Sequence, residues 1–287
     1  MCEIELDKIY NEDCIEGMKR IPDKSVDAII CDLPYGTTQS KWDIIIPFEP
    51  LWEQYKRIIK DNGAIVLFGA EPFSSYLRLS NIEWYKYDWV WDKIKGVGFL
   101  NAKKQPLRNH ELISVFYKKQ CTYNPQKTSG HERKKTFRSK NCQTEVYGAM
   151  NQDYHYDSTE RYPRSIQVFK TDTQNSSLHP NQKPVKLLEY LIMTYTNDGE
   201  TVLDNCIGSG TTAVACINTN RHFIGFENLG KHYYTACERR RVENIIDKQC
   251  DTGRSTGDQP AWQNKHCNSK CINAVSKYHN QCFHNSF

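Results

Sequence analysis

The first third of the chain alternates short apolar runs with a stretch of helical spacing. The run VDAIIC (26–31) is apolar and partly β-branched, which is typical of a buried strand. The stretch PLWEQYKRIIKDNG (50–63) predicts a helix that ends at Gly63, just before a second apolar run, AIVLFG (64–69). The runs YKYDWVWDK and HELISVFYKK predict two more strands, the second ending near Lys119. The strand VDAIIC, the helix after it and the strand AIVLFG together predict a β-α-β unit.

A second unit of the same kind begins near residue 184. The stretch PVKLLEYLIMTYT (184–196) predicts a helix with Pro184 at its start and leucines on one face. The run TVLDNC, a glycine-rich turn, the helical stretch TTAVACINT and the run HFIGFE follow it. Strands that alternate with helices in this way predict an α/β fold with a mainly parallel central sheet.

The stretch between the two units is polar and follows neither period, so residues 120–176 are predicted to form an inserted region. The chain then divides into 1–119, this inserted region, 177–247 and a polar tail, 248–287. The tail is poor in aliphatic residues, which predicts a flexible extension. Its cysteines and histidines leave a zinc site as the alternative, although the spacing C-x3-C-x7-H-x2-C matches no common zinc module.

Composition narrows the class of protein. With 287 residues and 38% hydrophobic side chains, the chain can bury a sizeable core. It has no apolar stretch of the roughly 18 residues that a membrane span needs, and its first residues lack the pattern of a secretory leader. We therefore expect a soluble protein of the cell interior. The twelve cysteines are scattered through predicted strands and helices, which favours reduced thiols over disulfides.

Positive charge is concentrated in the middle of the chain. Residues 86–140 contain fourteen Lys and Arg against four acidic residues, whereas the whole chain carries a net charge of only +4. Aromatic residues such as Trp89, Phe99 and Phe137 are interleaved with these cations. The combination suits a polyanion, whose phosphates pair with cations and whose bases stack on rings. A solvated basic face is the alternative.

The clearest sign of a cofactor is the segment VLDNCIGSGTTAVAC. A strand runs into a carboxylate, two glycines allow a tight turn beneath a ligand, and two threonines open the next helix. A glutamate closes the following strand, where it can bind both hydroxyls of a ribose. The turn lacks the third glycine of a dinucleotide site and the lysine of a phosphate loop, so a nucleoside cofactor such as S-adenosylmethionine fits better. The candidate residues are Asp204, Gly208, Gly210, Thr211, Thr212 and Glu227.

The end of the first predicted strand poses a separate question. VDAIIC runs directly into Asp32, Leu33, Pro34 and Tyr35, a carboxylate followed by a stiff turn and an aromatic ring. As packing alone this order makes poor sense, although an ordinary strand-ending Asp-x-Pro turn is the alternative.

Four blocks of the chain resemble, in order, the permuted amino-methyltransferases of DNA, which act on adenine N6 or cytosine N4. They are IYNEDCIEGMKRIPDKSVDAIICDLPYG, HPNQKPVKLLEYLI, VLDNCIGSGTTAVAC and FIGFENLGKHYYTACERR. The resemblance implies a Rossmann-like, S-adenosylmethionine-dependent methyltransferase fold with a circularly permuted motif order. Residues 1–119 would be its catalytic half, 120–176 its target-recognition region and 177–247 its cofactor-binding half.

The resemblance also implies roles for the strand end. Asp32 and the backbone carbonyl of Leu33 would accept hydrogen bonds from the target amine, and Tyr35 would stack on a base flipped out of the duplex. Asp32 would border the cofactor as well, and the reaction needs no metal. The family usually has a second proline where this chain has Leu33. Pro34 still favours an extended Leu33, so we expect activity to survive.

Other positions are carried over in the same way. Asp13 resembles the acidic residue beside the cofactor's adenine, with the cap of a helix through CIEGMKRI as the alternative. Lys183 and Pro184 resemble the block near the methionine end of the cofactor, where the lysine could meet a carboxylate; a helix-start turn is the alternative. Asn205 and Cys206 replace the Pro-Phe pair that the family often has, so a contact usual for that Phe cannot be transferred.

The target base follows from the first position of the Asp-Leu-Pro-Tyr motif. An aspartate there is typical of adenine-N6 members, so adenine is predicted and cytosine-N4 is the near alternative. Methylation of RNA or of a protein glutamine, and a DNA-binding protein without turnover, are alternatives from other classes. The catalytic-first order and the basic inserted region favour DNA.

Sequence specificity is expected in the inserted region. The implied partner is double-stranded DNA, in the cytoplasm of a bacterium or a phage-infected host. A cognate restriction endonuclease and a homodimer are left open. The candidate DNA-binding residues, which can contact base edges or only phosphates, are Arg133, Lys134, Lys135, Arg138, Arg161 and Arg164.

Overall fold

The computed structural model describes residues 4–38, 40, 43–139, 143–144, 148–149, 153–171 and 182–252. The strands in these ranges are β1 (Lys8–Tyr10), β2 (Val26–Cys31), β3 (Ile59–Gly69), β4 (Tyr85–Val97), β5 (Arg108–Phe116), β6 (Lys134–Arg138), β7 (Gln143–Thr144), β8 (Gly148–Ala149), β9 (Tyr154–Ser158), β10 (Ile166–Val168), β11 (Thr201–Asp204) and β12 (His222–Phe226). The helices are α1 (Cys14–Met18), α2 (Phe48–Ile58), α3 (Phe73–Ser80), the 3₁₀ helix η1 (Phe99–Asn101), α4 (Val185–Tyr195), α5 (Thr211–Asn218) and α6 (Gly230–Thr252).

Eight strands form one sheet in the order β1-β12-β11-β2-β3-β5-β4-β10. The first five pair in parallel, β5 runs antiparallel to both of its neighbours, and β10 pairs in parallel with β4. The predicted α/β fold with a mainly parallel sheet is confirmed. Because β2 pairs with β11, the two predicted units meet at the centre of the sheet, and the carboxyl ends of β2, β11 and β12 lie at one edge.

The central strands are apolar along their whole length because helices cover both faces of the sheet. Along β2, Ala28 and Ile30 pack on the side of α4 and α5, whereas Ile29 and Cys31 pack on the side of α1, α2 and α3. This explains why VDAIIC shows no alternation of polar and apolar residues.

The end of the helix predicted over 50–63 is wrong. Helix α2 ends at Ile58, and Ile59 already belongs to β3. Two consecutive β-branched residues favour this extended backbone over another helical turn. Gly63 lies within β3, where a β-carbon would come within 2.7 Å of the Asp27 carbonyl oxygen. The glycine therefore permits a close approach of two strands and does not stop a helix.

The helix predicted over 184–196 is confirmed as α4, with Pro184 in extended conformation directly before it. In the predicted inserted region, β6 and β9 form an antiparallel hairpin, and β10 joins the edge of the main sheet. The boundaries at 120 and 176 stay predictions. The cysteines and histidines of the zinc alternative, which begin at residue 266, lie outside the described residues.

The described cysteine side chains are free thiols, which agrees with the predicted reduced state. Cys206 and Cys237 are partly exposed, and the buried ones are Cys14, Cys31, Cys121 and Cys216. Among the helices of the described ranges, none is long and apolar enough to cross a membrane.

Candidate active site

A cleft of about 1100 Å³ opens at the carboxyl ends of the central parallel strands. Asp32 follows β2, Asp204 ends β11 and Glu227 follows β12, and all three side chains line the cleft. Ligands of open α/β sheets bind in a crevice at this edge, so the sheet topology itself gathers the three carboxylates. The other predicted catalytic and cofactor residues that line the cleft are Asp13, Leu33, Pro34, Tyr35, Lys183, Gly208, Thr211 and Thr212.

The Asp32 carboxylate is held from both sides. The Tyr35 hydroxyl donates a hydrogen bond to Asp32 Oδ1 at 2.6 Å, and the Lys183 ammonium lies 2.6 Å from Asp32 Oδ2. The same ammonium lies 3.1 Å from Glu111 Oε2, and Lys93 pairs with the other oxygen of Glu111. Two carboxylates and two ammonium groups thus form one compact network, with the ammonium of a buried lysine at its centre.

The two carboxyl groups of this network differ in proton affinity. Burial raises the pKa of Asp32 against the opposing charge of Lys183, and the nearby Glu111 carboxylate adds to the rise. Burial also acts to raise the pKa of Glu111, but Lys183 and Lys93 outweigh it and lower that pKa. The two carboxylates outweigh burial at Lys183, whose pKa is raised. A proton that enters the network therefore settles on Asp32 before Glu111.

The turn that carries Asp32 is anchored by packing. The Tyr35 ring stacks on Phe73 of α3, with ring centroids 5.0 Å apart and planes inclined by 27°. Leu33 is only 3% exposed and packs in the core cluster on the α1, α2 and α3 side of the sheet. A proline at this position would stiffen the turn through its backbone, whereas the leucine anchors it through its buried side chain.

The loop after Tyr35 is closed by Asp43, a residue that sequence analysis missed. Its Oδ1 accepts a hydrogen bond from Gly36 N at 2.8 Å, and its Oδ2 accepts from Thr37 N at 2.9 Å and Thr38 N at 2.7 Å. Burial acts against the charge, but these donors hold the pKa of Asp43 below its usual range. An isolated aspartate seven residues after a glycine gives no sequence signal for this contact.

Asp204 supports the glycine-rich turn from the strand side. Its carboxylate accepts hydrogen bonds from the Cys206 backbone N–H at 3.1 Å and from the Thr212 hydroxyl. Burial raises the pKa of Asp204 to about 6 against these donors. Thr211 accepts a hydrogen bond from the Arg239 guanidinium at 2.9 Å. Both predicted threonines therefore brace the turn, in addition to lining the cleft.

Glu227 holds the other side of the same turn. Its carboxylate accepts hydrogen bonds from Gly208 N at 3.1 Å and Leu229 N at 2.8 Å, and burial raises its pKa. Gly208 has a φ of +54° and faces the cleft, where a β-carbon would meet nothing closer than 3.9 Å. The turn thus presents bare backbone to the cleft beside a carboxylate, a surface that suits the flat rings and hydroxyls of a nucleoside.

Gly210 has a different structural role from Gly208. Its φ is +80°, and a β-carbon there would lie 3.0 Å from Cα of Ala236 in α6. The glycine therefore allows the turn to pack against a helix, and it does not itself line the cleft.

Asp13 caps a helix and borders the cleft at the same time. Its Oδ1 accepts hydrogen bonds from Ile15 N at 2.9 Å and Glu16 N at 3.1 Å, so the cap of α1 is observed. A contact with a cofactor stays a prediction. Asn205, one of the two departures from the family pattern, is buried and accepts a hydrogen bond from Tyr55 of α2 at 2.5 Å.

Glu111 and Lys93 were also missed by sequence analysis. Glu111 lies in the first half of β5, and this strand runs antiparallel to β3, so its start reaches the edge where the parallel strands end. A charged residue beside the apolar run LISVF is the only local signal. The direction of β5, which local sequence does not reveal, is needed to place it beside Asp32.

Several predicted DNA-binding residues hold the β6–β9 hairpin together. Arg133 pairs with both oxygens of Asp157, at 2.7 and 2.9 Å, and Lys135 lies 3.8 Å from the same carboxylate. Arg161 donates to the backbone carbonyls of Ser158 at 3.1 Å and Glu160 at 2.8 Å. None of the six predicted side chains lines the cleft. The other three predicted side chains are exposed and take part in none of the hydrogen bonds or ion pairs just described: Lys134, Arg138 and Arg164.

Comparisons with known proteins converge on one class. A sequence model described as DNA methylase matches residues 26–239. The Type II methyltransferase M.HpaI of Haemophilus parainfluenzae is 27% identical over 249 residues, which cover 81% of this chain and 73% of that protein.

Solved structures share the fold. The complex of M1.HpyAVI with SAM is 24% identical with a TM-score of 0.57, and the match covers 81% of this chain and 98% of that one. The PvuII DNA methyltransferase, described as cytosine-N4-specific, is 14% identical with a TM-score of 0.60, covering 88% of this chain and 95% of the other.

Proposed function

The chain belongs to the DNA methylase family of adenine-N6 and cytosine-N4 enzymes, and on that premise we propose that it methylates the N6 amine of adenine within a short DNA sequence. The broader activity, transfer of a methyl group to an exocyclic amine of DNA, follows from family membership. The observation that carries the proposal is the Asp32 carboxylate at the end of β2, in the same cleft as the glycine-rich turn.

Asp32 addresses the main difficulty of this reaction. The amine of adenine is a poor nucleophile because its lone pair is delocalised into the ring. Hydrogen bonds from the amine to Asp32 and to the Leu33 carbonyl favour a tetrahedral nitrogen whose lone pair is free to react. With the methyl donor bound, its S–C bond would break as the N–C bond forms, and Asp32 would accept the proton that the amine then loses. The raised pKa of Asp32 supports that last role.

Lys183 prepares Asp32 for the amine. Each carboxylate oxygen can accept two hydrogen bonds, so the amine can bind while Tyr35 and Lys183 keep theirs. The ammonium stabilises the ionised form of a carboxylate that burial would otherwise neutralise. We propose this positioning role for Lys183, and its predicted contact with a carboxylate of the cofactor stays a prediction.

The cofactor is S-adenosylmethionine, and the residues around the glycine-rich turn fit it. It supplies a methyl group on a sulfonium whose positive charge makes the carbon electrophilic. Gly208 would leave room for the nucleoside, Glu227 would take the ribose hydroxyls and Asp13 would lie at the adenine end. These residues hold and orient the donor, so that the chain itself contributes mainly alignment.

Adenine is favoured by analogy within the family, through the first residue of the Asp-Leu-Pro-Tyr motif. An anionic acceptor at Asp32 is typical of adenine-N6 members of the family. Cytosine-N4 methylation is the second candidate, because the PvuII enzyme shares this fold. The likeness to a Type II methyltransferase supports a role in restriction-modification, with an endonuclease acting on the same sequence.

Analysis of methylated nucleosides tests the proposal. The purified protein is incubated with unmethylated genomic DNA and labelled S-adenosylmethionine, and the DNA is digested and analysed by mass spectrometry beside an Asp32→Asn variant of the same shape. We expect N6-methyladenine with the wild type and a loss of at least about a hundredfold with the variant. N4-methylcytosine would support the second candidate, and no methylated base in DNA would refute both.

A further inference from the structure

The hairpin of β4 and β5 projects past its neighbours in the sheet and ends in an ordered tip. Strand β10 pairs with β4 only as far as Asp92, whereas β4 and β5 pair again at Val97 and Arg108. Gly98, with a φ of +90°, then leads into η1, and Asn101 N donates to the Gly98 carbonyl at 2.9 Å. The tip is therefore a hydrogen-bonded turn with a defined shape.

The tip exposes two large apolar side chains. Phe99 is 81% exposed and Leu100 is 99% exposed. No other large apolar side chain in the described ranges is as exposed as either of them. A hydrogen-bonded turn that carries such side chains away from the core presents a surface for a partner.

The charge around the tip indicates the kind of partner. Residues 93–108 contain five lysines and arginines and no acidic residue. The part of the hairpin next to the tip borders the active-site cleft, because Lys93, Lys95 and Arg108 line the same cavity as Asp32. A polyanion held by these cations would therefore lie with one region at the cleft and an adjacent region at Phe99 and Leu100.

We propose that Phe99 and Leu100 form an apolar wedge that enters the target duplex and fills the space left by the flipped base. The inference rests on the proposed function and adds to it the residues that make the base available. A base that leaves the stack loses its stacking and pairing, and an inserted apolar side chain offsets part of that loss. Phosphates on either side of the gap pair with the exposed lysines of the hairpin, Lys95, Lys103 and Lys104.

A pair of DNA substrates separates the wedge from other roles. Once the methylated sequence is known, one duplex carries the target base in a normal pair and the other carries it opposite an abasic site, where it is already unpaired. Single-turnover methylation is measured for the wild type and for the Phe99→Ala/Leu100→Ala variant. We expect the variant to be slower by about tenfold or more on the paired duplex and by less than about threefold on the unpaired one.

Two controls accompany the variant. Leu79 on α3 is 69% exposed and does not line the cleft, so Leu79→Ala matches the loss of an exposed leucine and should leave both rates unchanged. Binding of S-adenosylmethionine by the wedge variant should also equal that of the wild type, because both removed side chains lie at the surface.

The outcomes distinguish failure of the wedge from failure of the proposed DNA methyltransferase activity. Equal slowing on both duplexes, or no slowing on either, overturns the wedge while the methyltransferase assignment stands. A wild type that methylates neither duplex refutes the proposed function and the wedge with it. Methylation of a structured RNA in their place also overturns the wedge, because it was inferred for duplex DNA.

Discussion

The Lys183 ammonium lies 2.6 Å from Asp32 Oδ2, so a residue two positions before α4 neutralises the residue that follows β2. The same ammonium contacts Glu111 at 3.1 Å. The Asp32 carboxylate is thus balanced by a cation that lies about 150 residues later in the chain. Changes at Lys183 should consequently affect stability and reaction together.

Replacement of Lys183 by Met leaves two buried carboxylates with one ammonium group fewer. We expect a loss of about 3 to 5 kcal/mol in unfolding free energy, because an uncompensated buried charge remains. We also expect the acidic limb of the pH–rate profile to move to higher pH, since Asp32 then takes up a proton more readily. Denaturant unfolding and methylation rates against pH measure the two effects.

Lys186→Met is the matched control for this variant. Lys186 pairs with Glu189 on the next turn of α4 but is 81% exposed. Glu189 is buried but also accepts a hydrogen bond from Asn218 at 2.8 Å, which the control keeps. Because water screens the exposed Lys186 ammonium, its removal should cost at most about 1 kcal/mol and leave the pH profile unchanged. Similar losses in both variants would mean that the buried network has no special role.

The Tyr35 hydroxyl and ring can be separated by mutation. Tyr35→Phe removes the hydrogen bond to Asp32 but keeps the ring on Phe73, and we expect about a tenfold lower methylation rate. Tyr35→Ala removes the stacking surface as well, and the rate should fall by at least about another tenfold. Single-turnover rates at saturating DNA give the comparison. Equal rates for the two variants would exclude a role for the ring.

The anchoring role of Leu33 predicts a contrast between two substitutions. Leu33→Ala opens a cavity in the core and should lower the unfolding free energy by about 2 to 5 kcal/mol. Leu33→Met keeps the volume and should cost less than about 1.5 kcal/mol. If the buried side chain holds the turn, the methylation rate should fall more in Leu33→Ala than in Leu33→Met. A rate unaffected in Leu33→Ala would show that Pro34 alone fixes the turn.

The two glycines of the cofactor turn should respond differently to alanine. Both need a positive φ, which costs alanine about 1 to 2 kcal/mol. Gly210→Ala also brings a β-carbon within 3.0 Å of Ala236, so its main effect should be on thermal stability. Gly208→Ala places a methyl group in the cleft and should mainly weaken S-adenosylmethionine binding. Calorimetry of binding and of unfolding distinguishes the two effects, and identical profiles would contradict the assignment.

The raised pKa of Asp204 should make the unfolding free energy of the protein depend on pH. Burial raises its pKa to about 6 in the folded chain, above the unfolded value near 4. Between these values the folded state holds the extra proton, so the contribution of Asp204 is full below about pH 4 and is lost as pH rises through about 6. Relative to Asp204→Asn, the wild type should lose up to about 3 kcal/mol across this window. A constant difference in unfolding free energy between the two proteins would contradict the shift.

The residues of the candidate site that lie at the ends of apolar strands could be predicted from the sequence. Asp32 and Asp204 each stand out because a carboxylate ends a run that is otherwise buried, and Gly208 and Gly210 stand out because a strand is followed at once by a helix. Strand periodicity and turn chemistry are local properties, so the order of elements and the α/β class could be predicted from them.

The contacts of those residues could not be predicted, because they depend on strand direction and on side-chain packing. Glu111 reaches Asp32 only because β5 runs against its neighbours, and Lys183 reaches both through a helix start on the other half of the chain. The end of α2 was misplaced because Gly63 also marks helix ends, whereas here it serves a close strand contact. Each of these depends on tertiary structure that no local window contains.

The pairing of β2 with β11 also limits how far the chain can fold while it is still being synthesised on the ribosome. Strand β2 is made early, but its neighbour β11 ends at Asp204, and β1 pairs with β12, which is later still. Until synthesis has passed these strands, the apolar edge of β2 has no partner on one side, and unpaired edges of this kind invite aggregation. The nascent first half should therefore depend on chaperones, and fast expression should yield insoluble chains whose folding was interrupted at the middle of the sheet.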